Sequence, residues 1–163
     1  MHQVVYESPM GKLFLAEEAG KIRWIKFSPL SEGKEKETAV LTQAKQQLDA
    51  YFAGELREFD LPLALEGTAF QKRVWMGLQN IPYGETWSYK ALAEAVDSPK
   101  GYRAVGMANN RNPISIVIPC HRVIGANGAL VGYGGGLEKK EILLSLEKSV
   151  RQDLPKAFFF GKI

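Results

Sequence analysis

At 163 residues the chain has room for one ordinary domain or two small ones sharing a core, and 45% apolar with 24% charged residues is ordinary for a soluble globular protein. A net charge of +3 is too small to argue for nucleic acid unless placement concentrates it. One cysteine excludes an intrachain disulfide and Cys-rich zinc sites, and with only two histidines, far apart in sequence, no metal or other cofactor is expected.

The N-terminus lacks the basic flank and apolar core of a signal peptide, and no apolar run approaches the roughly 20 residues needed to span a bilayer. The expectation is a soluble, cytoplasmic protein without a membrane partner. Residues 2–7, 12–17 and 21–27 are short runs rich in Val, Ile, Leu and aromatics. Pro9-Met10-Gly11 and Ala19-Gly20 separate them, which predicts an antiparallel meander. Residues 28–38 are polar and read as an exposed loop. Residues 39–52 place Val40, Ala44, Leu48 and Tyr51-Phe52 at helical spacing, with Gly54 as a stop. Nothing in residues 1–66 looks like chemistry, and His2 reads as a solvated terminal histidine. That half is expected to be a scaffold, with a boundary near Gly67.

The second half, residues 67–151, differs in kind. Thr68-Ala69-Phe70-Gln71 fits a capping box, followed by Val74, Trp75 and Leu78 on one helical face. A short helix over residues 88–96, a turn at Asp97-Ser98-Pro99-Lys100 and a second short helix over residues 101–109 outline a helix-turn-helix. From Ser98 to Arg122 there are four positive charges, Lys100, Arg103, Arg111 and Arg122, and no acid, a clustering that favours phosphate contact. The second helix reads Arg103-Ala104-Val105-Gly106-Met107-Ala108, small enough for a close backbone approach to a duplex, with Arg103 as the one long probe. The same small residues also serve ordinary helix packing.

Asn112-Pro113 stops that helix, and the buried-looking run 114–118 delivers Cys120, beside His121. The lone thiol next to the one internal histidine has two readings, an inert small hydrophobe or an activated nucleophile. Asn127-Gly128 marks a tight turn, and Tyr133-Gly134-Gly135-Gly136 reads as a wall exposing backbone N–H groups to a pocket. Residues 137–148 form a final helix with Leu137, Leu143, Leu144 and Leu146 for packing and Glu147 near its end. Residues 152–163 form a tail containing Phe158-Phe159-Phe160. The fold class is α+β: an N-terminal antiparallel sheet with a helix, then a mostly helical domain bearing the helix-turn-helix and the cysteine.

Pro119-Cys120-His121-Arg122-Val123, with Arg103-Ala104-Val105-Gly106, Asn112-Pro113 and Tyr133-Gly134-Gly135-Gly136-Leu137, resembles the O6-alkylguanine-DNA alkyltransferases. Phe70-Gln71, Val74-Trp75, Ile81-Pro82, Gly84-Glu85-Thr86 and Ser88-Tyr89 extend the resemblance, which spans about residues 67–147. It implies direct-reversal DNA repair, in which a damaged guanine leaves the duplex and gives its alkyl group irreversibly to Cys120, one event per molecule. His121 would act as base through a bridging water, oriented by Glu147; the residues alone do not select Glu147 over Glu138 or Glu141. Arg103 would fill the stack, Tyr89 would crowd the target phosphate and face the base, and Asn112 would tie the recognition helix to the active-site segment. Gly101, Ala104, Gly106 and Arg111 fall with Arg103 on the DNA side. Val123, Tyr133 and Gly134 would line the base pocket, the Cys120 and Val123 carbonyls accepting from the guanine amine. Several relatives carry serine where this chain has Gly134, and the zinc ligands some relatives have in the first domain are absent. The expected partner is double-stranded DNA carrying O6-alkylguanine, bound by a monomer, with cooperative assembly left open. Two alternatives remain open: a Cys-His hydrolase, and a DNA-binding regulator or lesion sensor with an inert cysteine.

Overall fold

The computed structural model describes residues 1–153; the Phe158–Phe160 tail lies outside the described residues. Strands β1 (His2–Ser8), β2 (Gly11–Glu18) and β3 (Lys21–Lys26) form the expected antiparallel meander. Its second turn holds Ala19 at φ 53° and Gly20 at φ 81°, the two positive angles that suit the twist of a tight hairpin. A fourth strand, β4 (Lys34–Glu35), pairs parallel to β1 and gives the order β3-β2-β1-β4. This corrects the reading of residues 28–38 as loop throughout. Two exposed residues carry no alternation to read. Backbone bonds from Lys34 N to Met1 O (3.1 Å) and Lys36 N to Gln3 O (3.3 Å) hold the strand. His2 is not simply solvated either: its Nδ1 lies 3.0 Å from the buried Glu17 carboxylate.

Helix α1 (Ala39–Phe52) follows, and its Leu41, Ala44, Leu48 and Tyr51 are buried with Leu13 and Leu15 of β2. Helix α2 (Ala69–Leu78) begins with a complete capping box, Gln71 N to Thr68 Oγ1 at 3.0 Å and Thr68 N to Gln71 Oε1 at 2.9 Å. Strand β5 (Trp87–Ser88) leads into α3 (Tyr89–Ala95), capped by the Ser88 hydroxyl, and α4 (Tyr102–Asn110) completes the helix pair. Trp75 of α2 donates from its indole nitrogen to Ala108 O at 2.7 Å, tying α2 to α4. A 3-10 turn, Cys120–Arg122, precedes β6 (Val123–Ile124), which pairs parallel to β5.

Residues 114–118 are buried apart from the half-buried Val117 but are not extended. Ile116 sits at φ 74°, a conformation costly for a β-branched residue, and Val117 N closes on Ser115 O at 2.8 Å. The Asn112 amide spans this bend, accepting from Ile114 N (3.0 Å) and donating to Ile118 O (2.7 Å). The bend is stitched to the first sheet: Ile25 N donates to Pro113 O and Ser115 N to Ile25 O, each at 2.9 Å. The same edge of β3 takes the connector after α1, through Ile22 N to Pro62 O and Ala64 N to Ile22 O at 2.8 Å. One strand edge therefore carries both the connector and the cysteine-bearing segment.

The last helix, α5, runs Leu137–Asp153, beyond the expected end at residue 148 and across the boundary drawn at 152. No glycine or proline stops it there. Leu143 is fully buried, whereas Leu137, expected in the core, is 46% exposed.

Close approach of α2 and α3 depends on Gly77, where an added Cβ would meet Val96 Cγ1 at 2.4 Å. Val96 is stiff at χ1, so Gly77→Ala should destabilise the fold by about 1–3 kcal/mol in urea denaturation. Val96→Ala in the same chain should recover part of that loss.

Candidate functional site

The 3-10 turn is built from short-range bonds, Cys120 N to Ile118 O (2.8 Å) and Arg122 N to Pro119 O (3.0 Å). It presents three consecutive side chains to the interior: Cys120 is 5% exposed, His121 fully buried and Arg122 7% exposed. Glu147 of α5 meets two of them, His121 and Arg122.

The Glu147 carboxylate is fully buried and saturated with donors. Its Oε2 accepts from Tyr51 Oη (2.6 Å), His121 Nε2 (2.7 Å) and Arg122 Nη2 (3.0 Å); its Oε1 accepts from Arg122 Nε (2.8 Å) and Gly84 N (3.3 Å). Burial alone would push the carboxyl up. The His121 contact and the two-pronged Arg122 contact overcome that and hold it well below the usual carboxylate range. Glu147 is thus anionic and can only accept. The His121 proton therefore sits on Nε2, and Nδ1, buried without a protein partner, carries the lone pair. Burial pulls the imidazole below its ordinary value; Glu147 works against that, and Arg122 and Lys140 reinforce it. His121 is a neutral base with one nitrogen committed and one free.

Cys120 opens the same 3-10 turn. Burial raises its thiol above the usual range, with the Asn112 side chain and the Lys140 charge partly offsetting it. The sulfur therefore stays a thiol at neutral pH unless a base removes its proton. Tyr89 and Tyr133 both feel the Cys120 charge, which puts both phenols on the thiol's side of the site. Tyr89 donates from its hydroxyl to Val131 O at 3.1 Å, and its ring lies against Gly106, where an added Cβ would sit 3.5 Å away. Val123 is buried, and its carbonyl accepts from Lys140 Nζ at 2.5 Å. Gly134 lies at the exposed surface of the glycine-rich segment.

Gly101, at the N-terminus of α4, is half-buried and Gly106 is also half-buried, while Arg103, Ala104 and Arg111 are exposed. Two sequence expectations fail here. Arg122 does not join the exposed cations, because its guanidinium is consumed by Glu147, by Ile81 O (2.7 Å) and by the Tyr83 ring face. Nor is Arg103 the one long side chain on the outer face: Tyr102 and Met107 are 55% and 57% exposed beside it.

Sequence reasoning missed four contributors. Tyr51 reaches Glu147 from the half read as lacking chemistry, and Arg122 was counted as surface charge. Lys140 is buried and donates to the carbonyls of Val123, Val131 (2.8 Å) and Gly132 (3.4 Å); burial pushes it down to about 8. Asn109, also buried, points its amide nitrogen at Cys120 O over a long 3.5 Å. A lysine near the start of α5 gives no signal of burial in a lone sequence. The choice among three glutamates on α5 is made by position: Glu138 and Glu141 are exposed, and Glu147 faces the turn.

Two family models divide the chain between them. The one described as 6-O-methylguanine DNA methyltransferase, ribonuclease-like domain, matches residues 1–65, and the one described as its DNA binding domain matches residues 69–149. The chain is similar to the methylated-DNA–protein-cysteine methyltransferase of Methanosarcina acetivorans, 49% identical, with 91% of this chain and 99% of that protein covered. It is 52% identical to the protein of the same name from Mycobacterium leprae, over 87% and 89%. Among solved structures, Mycobacterium tuberculosis OGT in complex with DNA superposes with a TM-score of 0.86 at 47% identity, covering 92% of this chain and 94% of that one.

Removing one side of the Arg122–Glu147 pair strands a buried charge, so Arg122→Met should lower unfolding free energy by about 3–5 kcal/mol in denaturant titration. For His121, the folded chain resists a proton that the unfolded chain accepts near 6.5. Stability should therefore decline as pH falls below that value, and His121→Gln should flatten that limb in pH-dependent denaturation.

Proposed function

The chain belongs to the 6-O-methylguanine DNA methyltransferase family, and on that premise we propose that Cys120 is the atom that accepts the alkyl group from O6 of a damaged guanine. The protein is a methylated-DNA–protein-cysteine methyltransferase that repairs DNA by direct reversal. The observation that carries the assignment of Cys120 is the neutral His121, committed to Glu147 through Nε2 and free at Nδ1, in the turn that holds the thiol.

Attack on an sp³ carbon needs a thiolate, and a thiol raised by burial offers very little of it at neutral pH. His121 takes the thiol proton at Nδ1 through a bridging water. The developing imidazolium is then stabilised by the carboxylate that already holds Nε2. Sulfur forms its bond to the alkyl carbon as the C–O6 bond breaks, and the bonding pair goes to guanine. Tyr89 donates toward that leaving oxygen once its hydroxyl exchanges Val131 O for the base. N–H groups around Gly134 and the pocket wall at Tyr133 and Val123 complete the support. What remains on Cys120 is a thioether. It has no acidic leaving group, so the reaction stops after one event per molecule.

On the DNA side, Arg103 enters the stack in place of the flipped guanine. Gly101, Ala104 and Gly106 let α4 approach the duplex, Arg111 contacts phosphate, and Asn112 fixes the bend that leads to the thiol. Residues 1–66 and 67–151 are proposed as scaffold and acceptor domains of a monomer. Among the described residues no helix is long and apolar enough to cross a membrane. A reducing cytoplasm is the compartment that keeps a lone thiol active.

Incubation with O6-methylguanine duplex should add one CH2 to the Cys120 peptide by mass spectrometry, saturating at one equivalent; a hydrolase would turn over without that adduct. Cys120→Ser should abolish transfer while retaining duplex binding, and stoichiometric transfer by it would refute the assignment. His121→Ala should slow transfer by about 10²-fold or more. The wild-type rate should fall only below pH 6.5, because the imidazole is held under its ordinary value.

A further inference from the structure

Tyr51 lies in the last turn of α1, 96 residues from Glu147 in sequence, yet its hydroxyl donates to Glu147 Oε2 at 2.6 Å. That oxygen also receives His121 Nε2. We propose that Tyr51 is a positioning residue of the alkyl transfer: by sharing Oε2 with His121 it keeps the imidazole weakly basic, so that His121 stands unprotonated and ready to accept the thiol proton. The proposal rests on the reading of Cys120 as acceptor and His121 as its base.

A hydrogen bond donated to a carboxylate oxygen draws electron density that a neighbouring imidazolium would otherwise use. Tyr51 supplies such a bond without adding charge. It does so at every working pH, because burial first, and the Glu147 charge second, push its phenol well above the ordinary range. The orientation of Glu147 does not depend on it. Arg122 already grips both oxygens, Nε on Oε1 and Nη2 on Oε2, and Gly84 N adds to Oε1. Loss of the hydroxyl therefore changes the competition for Oε2 while leaving the carboxylate in place. The Tyr51 ring is fully buried against Phe52, Phe59 and Tyr83, with centroids 5.2, 5.4 and 6.3 Å away, so the hydroxyl has no other place to point.

The remaining groups around the pair do not titrate in the acid range. Arg122 from the 3-10 turn and Lys140 from α5 are the cations that act on His121, and Arg57 acts on Tyr83. Tyr83, pushed up to about 12, stays a phenol, and Cys120, raised, stays a thiol. Among these groups only His121 changes state between neutral pH and the far lower range of Glu147. Its midpoint is a clean reporter of what Tyr51 does, and the one other histidine, His2, serves as an internal reference.

The test is a pH titration of both imidazoles by NMR in the full-length chain, wild type against Tyr51→Phe, with single-turnover transfer measured over the same pH range. Expected is a rise of the His121 midpoint by about half a unit to one unit, an acid limb of the transfer rate moved in the same direction, and an unchanged His2. A folded Tyr51→Phe with the His121 midpoint unmoved or lowered overturns the proposal, whatever its melting temperature. The wild-type chain gives a second arm that needs no variant: the Tyr51 Cζ resonance should shift with the His121 midpoint. A Tyr51 signal that stays still while His121 titrates overturns the proposal even if Tyr51→Phe does not fold. Neither NMR arm uses DNA. A failure of methyl transfer to Cys120 would therefore sink the functional reading separately from the Tyr51 result.

Discussion

One buried carboxylate organises this molecule. Glu147 is fully enclosed and would be intolerable there without compensation; it is matched by a fixed cation, an imidazole, a phenol and a backbone N–H. Those donors come from α5's neighbours on every side: Tyr51 from α1, Gly84 from the segment after α2, His121 and Arg122 from the 3-10 turn. No pair of these elements is close in sequence. The charge can exist only when the whole chain has folded around it, and its hold on Nε2 fixes which nitrogen of His121 carries the proton.

The glycines, the bend at Ile116 and the edge of β3 all serve that convergence. Ile25 anchors the 113–115 segment, Asn112 bridges the bend, and the turn that follows sets Cys120, His121 and Arg122 inward in succession. The strained Ile116 is compensated by hydrogen bonds on both sides of it, as expected where a site fixes an unfavourable backbone. A buried thiol above its ordinary range and an imidazole below its own both rest neutral rather than as an ion pair. Such a sulfur is protected from adventitious oxidation until a substrate arrives, which suits a protein that spends its nucleophile once.

Much of the fold was legible because its signals are local. Ala19-Gly20 demanded a tight turn, Thr68 and Gln71 close a capping box, and the helices of the second half follow from spacing. What was not legible depends on partners distant in sequence. Arg122 has the same letter as the exposed Arg103 and Arg111, and only its neighbour Glu147 makes it a buried clamp. Tyr51 reads as one more apolar position of α1, because the helical pattern records that it faces inward and not what its hydroxyl meets. Lys140 sits in a polar stretch of α5 that gives no hint of three carbonyls waiting for it. β4 failed for the opposite reason: two exposed residues are too short to carry a pattern. The resemblance located Cys120, His121 and Glu147; their protonation states required the geometry.

The account stands or falls on where the His121 proton resides. Nitrogen-15 NMR of the imidazole in the DNA-free protein at neutral pH reads this directly, since protonated and lone-pair nitrogens have well-separated shifts. The account predicts a neutral ring with its proton on Nε2 and a lone pair on Nδ1. A doubly protonated ring, or a neutral ring carrying its proton on Nδ1, would contradict it, because neither leaves a site to receive the proton of Cys120.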